Sequence, residues 1–74
     1  MKIIIENTSK IIHLNGVPAR IWEGETESGI KVLCYVTRIA VDRNEGRVNE
    51  FESELKKEKV PSPEVQAIPL RMII

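Results

Sequence analysis

The chain has one cysteine, one histidine, no net charge and no long apolar run. Each of these shortages removes a class of protein. With Cys34 alone, no internal disulfide can form. Cys34 and His13 make two soft ligands where a structural zinc site takes about four, so neither a metal nor any other cofactor is expected. Eleven basic residues face eleven acidic ones. A non-specific nucleic-acid binder is usually basic because phosphate neutralisation drives its affinity, so that class is disfavoured. No stretch approaches the roughly 20 apolar residues of a membrane span. Met1–Glu6, with one lysine and three isoleucines, is too short for a signal-peptide core. The expected setting is the cytosol, with Cys34 reduced and no membrane partner.

At 74 residues the chain has room for one domain, 1–74. A domain of this size buries only about 60% of the surface its unfolded chain exposes, so its core is marginal. Disulfide and metal being excluded, self-association is the remaining way to reinforce it, which makes a homo-oligomer the expected state. An unusually well packed monomer is the alternative.

What the chain does have is isoleucine, eleven of them, with none between Val41 and Ala67. β-Branched residues suit a pleated, half-buried surface, so strands are expected at both ends and a helix in the charged middle. Lys2–Glu6 reads as a strand, Asn7–Ser9 as a turn and Lys10–Leu14 as a second strand. Asn15-Gly16 is a strong hairpin signal and leads into a third strand, Val17–Glu23. Pro18 places the start of that strand at an edge. Gly24–Gly29 (GETESG) reads as a polar turn before the longest strand, Ile30–Val41. Val48, Phe51 and Leu55 share one helical face, with Asp42 or Asn44 as candidate caps. Pro61 and Pro63 end the helix. Ala67–Ile74 reads as a last strand, interrupted at Pro69. The expected fold is α+β, an antiparallel sheet of about five strands in the order β-β-β-β-α-β, with one amphipathic helix packed on one face.

Strand alternation assigns the faces. Ile30, Val32, Cys34 and Val36 fall together, as do Val17, Ala19 and Ile21. The opposite sides carry Trp22, Leu33, Tyr35, Ile39 and Ile73, mixed with Arg20, Lys31 and Arg71. One short helix cannot cover such a sheet, and an amphiphilic face with aromatic and arginine residues has the make-up of an interface. A hairpin between the third and fourth strands is expected to bring Arg20, Trp22, Lys31 and Tyr35 onto one face, joined by Arg38 if a bulge lies near Thr37. Such a set suits a nucleotide: the ring stacks the base and the guanidinium grips phosphate. The plainer reading makes Trp22 an interface anchor with the arginines in solvent.

Catalytic chemistry finds little support. Cys34 sits mid-strand among apolar neighbours, where a core thiol is expected rather than a reactive one. His13 lies on another strand, and nothing in the sequence pairs it with Cys34. Glu23, Glu25 and Glu27 lack an environment that would split their pKa values. GETESG has neither the glycine spacing nor the lysine of a phosphate loop.

The segments ARIWEG (Ala19–Gly24), CYVTRIAV (Cys34–Val41), FESEL (Phe51–Leu55) and PSPEVQAIPLRMI (Pro61–Ile73) together resemble a group of small bacteriophage- and prophage-encoded proteins to which no activity is attached. The resemblance spans Val17–Ile74. It implies a short accessory protein acting inside a bacterium, and no site residue is carried over from it. Many such proteins inhibit host defence by occupying a host protein or by sequestering a nucleotide messenger. The expectation is therefore a non-catalytic counter-defence protein that captures a host immune factor or its nucleotide signal. The alternative is a phage assembly subunit acting only through self-association.

Overall fold

The computed structural model describes residues 1–66 and gives an α+β arrangement around a three-stranded antiparallel sheet. The strands are β1 (Ile3–Leu14), β2 (Val17–Thr26) and β3 (Lys31–Val36), in spatial order β1-β2-β3. Helix α1 spans Val48–Leu55, and a single helical turn, α2, spans Pro63–Gln66. The expected strand Ala67–Ile74 lies outside the described residues.

Two expected strands are one. Asn7–Ser9 does not turn the chain. β1 runs through it with a bulge, so that Asn7 faces Trp22 and Ile11 faces Arg20, four residues of β1 against two of β2. The side chain of Thr8 holds the bulge closed. It is fully buried, and its Oγ1 donates to the Ile21 carbonyl at 2.7 Å while accepting from the Lys10 amide at 3.2 Å. A side-chain hydroxyl thus replaces the ladder bond that the bulge removes.

The Asn15-Gly16 hairpin forms as the sequence predicts, with positive φ at both residues (50° and 82°). The second hairpin differs. Gly24 lies inside β2, and the turn falls at Thr26–Gly29, closed by Gly29 N–H to the Thr26 carbonyl at 3.0 Å. Gly29 takes the left-handed conformation (φ 87°) that such a loop needs after a type I turn. The strand expected over Ile30–Val41 ends at Val36. Asp42 does not cap α1. Its carboxylate accepts from the Asn44 amide at 2.8 Å, three residues before Arg47 begins the helix without a side-chain cap.

Both faces of the sheet are engaged. Register puts Ile5, Asn7, Arg20, Trp22, Cys34 and Val36 on one face, and α1 lies over it, with Asn7 Nδ2 donating to the Leu55 carbonyl at 2.7 Å. The chain then passes β1 at its bulge. Lys59 makes a parallel bridge to Thr8, its amide donating to the Asn7 carbonyl and its carbonyl accepting from the Ser9 amide. Beyond it, the Ser62 amide donates to Glu23 on the opposite face at 3.0 Å. Among the described residues the buried hydrophobic side chains are Ala19 and Ile21, both on this second face, and Val65 of α2. No helix among the described residues is long and apolar enough to cross a membrane.

Candidate functional site

The residues expected to form one site are divided. Register pairs Trp22 with Cys34, Ile21 with Tyr35 and Glu25 with Lys31. Arg20 and Trp22 therefore lie on the α1 face, and Lys31 and Tyr35 on the other. A loop over Gly24–Gly29 would have set Trp22 opposite Lys31. The observed turn moves its partner three residues on, and an odd shift exchanges the faces. Arg38 is exposed beyond the end of β3 and joins neither group.

On the α1 face, Arg20 and Trp22 are already occupied. Arg20 Nη1 donates to the Thr8 carbonyl at 2.8 Å and pairs with Glu58 Oε1 at 2.9 Å, both side chains being about two-thirds buried. Trp22 is half-buried and lines a recess of about 300 Å³ with Ile5, Phe51 and Leu55. An arginine held by a carboxylate and a carbonyl, beside a ring facing a helix, is a brace between sheet and linker. Cys34 is half-buried on this same face. His13 is exposed and faces Pro18 at the far end of the sheet, so the two are not brought together. Among the described residues, no three His, Cys, Asp or Glu side chains cluster closely enough to hold a metal ion.

The opposite face carries the larger concavity, an open groove of about 850 Å³ between the sheet and α2. Its apolar lining includes Ile4, Leu33 and Val65, with Ile4 73% and Leu33 38% exposed. Around them stand five carboxylates, Glu6, Glu23, Glu25, Glu27 and Glu64, against two ammonium groups, Lys31 and Lys59. Glu6 and Glu23 are cross-strand partners, a placement that like charges disfavour. Lys59 Nζ lies 3.3 Å from Glu23 Oε1 and offsets it. Burial works against ionisation of Glu23. The Ser62 amide bond, then the hydrogen bond and charge of Lys59, outweigh it and hold the carboxyl below its usual range.

Of the residues singled out in the sequence, this groove takes only Lys31. Its acidic side comes from Glu23, Glu25 and Glu27, which the sequence offers as a turn, and from Glu6 and Glu64, which no local pattern links. Alternation along β2 does place Glu23 and Glu25 on one face, with Glu27 following in the turn, and that signal was available. The approach of α2 was not. Set beside known proteins, the chain matches no family model, no curated protein and no solved structure.

Proposed function

We propose that this protein is a non-catalytic binding module that takes an extended polypeptide segment in the groove between its sheet and α2. The observation that carries this reading is the lining itself, with aliphatic Ile4, Leu33 and Val65 set among five carboxylates and two ammonium groups. Apolar contact supplies affinity in such a site, and placed charge supplies selectivity. The excess of carboxylate repels phosphate, and Arg20, the residue best suited to grip one, is committed to Glu58. A protein target therefore fits better than a nucleotide messenger. Together with the resemblance to phage-encoded proteins, this gives a counter-defence protein acting in the bacterial cytoplasm by occupying a host immune factor.

The test sets two ligand classes against each other on the full-length protein. Thermal shift against mono-, di- and cyclic nucleotides is expected to show no change. A library of short aliphatic peptides containing one arginine or lysine is expected to yield micromolar binders that are lost in Glu25→Lys. A nucleotide-induced shift that disappears in Trp22→Ala would reject this reading and restore the nucleotide one.

A second reading, assembly through self-association, draws on Ile3, Ile11, Val17 and Ile30, exposed away from the groove lining. A light-scattering mass of many chains, with no peptide affinity, would favour it.

A further inference from the structure

One carboxylate of the groove already holds a cation, and the contact shows which partner gives way. Glu23 meets Lys59 Nζ at 3.3 Å through Oε1 and accepts the Ser62 amide at 3.0 Å through Oε2. Its side chain is 14% exposed, against 39% for Lys59. The carboxylate is therefore fixed and sheltered, and the ammonium is the part that can leave. Shelter also strengthens a charge contact, because water screens it less. Each carboxylate oxygen carries two lone pairs, so Oε2 can take a second donor while it holds Ser62.

Lys59 can withdraw its ammonium without releasing the chain. Its amide donates to the Asn7 carbonyl at 3.1 Å, and its carbonyl accepts from the Ser9 amide at 3.2 Å. Glu58 is held by Arg20 at 2.9 Å, and Ser62 by Glu23 itself. The wall of the groove thus stands when the Nζ contact is lost. A guanidinium is the cation best able to take its place. It is more weakly hydrated than an ammonium and offers a carboxylate two parallel N–H donors. The neighbours of Glu23 suit the rest of such a ligand. Across the sheet it faces Leu33 on β3, an apolar contact for a flanking side chain, and Glu6 on β1, a second negative charge beside the cation.

We propose that Glu23 is an arginine subsite of the groove and that Lys59 is its built-in competitor. An arginine of the bound segment takes the carboxylate, and the Lys59 ammonium swings out into solvent. The proposal rests on the groove being a peptide site and names the residue that the site reads. Arginine is selected over lysine, since an incoming lysine only exchanges one ammonium for another.

The experiment uses the whole chain and three fluorescein-labelled peptides, AVLRVLA, AVLKVLA and AVLQVLA, read by fluorescence polarisation. Lys59→Met keeps the apolar stem and the backbone bridge and removes the charge. It is expected to bind AVLRVLA about tenfold more tightly than the wild type, because removing an internal competitor raises the competent fraction. Its affinity for AVLQVLA is expected to stay within about twofold of the wild type, since glutamine does not compete for Glu23. The wild type is expected to prefer AVLRVLA to AVLKVLA. In a Glu23→Gln background, Lys59→Met is expected to bring no gain, because the two changes act on one contact. A gain that survives in that background overturns the proposal, since it would come from the general charge of the groove. Equal affinity of wild type and Lys59→Met for AVLRVLA also overturns it while leaving the groove a peptide site. If none of the three peptides binds either protein, the proposal is overturned, and the peptide library judges the groove separately. If Lys59→Met does not fold, Lys59→Gln supports the same comparison.

Discussion

At Thr8 a side chain takes over from the backbone. The bulge leaves the Ile21 carbonyl without a β1 amide, and the Thr8 hydroxyl, fully buried, donates to it at 2.7 Å. Thr8→Val keeps the shape and removes the donor, so a buried carbonyl is left unsatisfied. The expected cost is about 1–3 kcal/mol, measured as a lower urea midpoint at unchanged m. Ser9→Val, one residue on at an exposed position, is the control and is expected to change stability by no more than about 0.5 kcal/mol. Local chemistry gives no hint of this role: Asn7-Thr8-Ser9 has the composition of a turn, and the carbonyl that Thr8 serves is thirteen residues away. Gly24 misleads in the same manner. Its sequence context is that of a turn, yet it sits opposite Ile5 inside the sheet, where an added Cβ would overlap the Ile4 carbonyl oxygen and come within 2.7 Å of Ile5 Cα. The glycine is there for close approach of two strands.

Among the elements, the linker from Glu58 to Ser62 does what no strand or helix does, tying the two sheet faces together. Arg20–Glu58 fastens it on the α1 face, Lys59 bridges β1, and Ser62 and Lys59 meet Glu23 on the groove face. The Glu23 anchor is acid-sensitive. Its pKa is lower in the fold than the ordinary value of 4.5, so the stability it contributes is present in full above that value. It is lost as pH falls through the lower, folded value. Wild-type melting temperature is therefore expected to fall more steeply below about pH 4.5 than that of Glu23→Gln, which has no carboxylate to protonate. Equal slopes would show that Glu23 does not hold the linker. Legibility at this scale followed sequence distance. The Asn15-Gly16 hairpin and the Val48–Phe51–Leu55 helix face were readable because their determinants are local. The pairing of β2 with β3 depended on where one turn fell, and an error of three residues there carried Trp22 and Tyr35 to opposite faces. The long-range contacts of the linker and of α1, 39 residues apart for Ser62–Glu23 and 48 for Leu55–Asn7, leave no trace in any window of sequence.

At the scale of the whole molecule, the described residues are short of core. Only Ala19, Ile21 and Val65 are buried hydrophobic residues among those described, while Ile4 is 73% and Ile11 50% exposed. Those two isoleucines separate the possible arrangements, because Ile4 lines the groove and Ile11 lies on the α1 face. A solvent-facing isoleucine can be made polar for no more than about 0.5 kcal/mol, whereas one that is covered loses its transfer free energy, about 1.5–3 kcal/mol when burial is complete. With the groove open to a partner segment, Ile4→Asn and Ile11→Asn are both expected to stay within about 0.5 kcal/mol. The melting temperature should then be the same at low and high protein concentration, since a fold completed by one chain is insensitive to mass action. A comparable loss at both isoleucines, with a melting temperature that rises with concentration, would instead place a second chain against both faces. The self-association read from composition would then be the true source of the missing core.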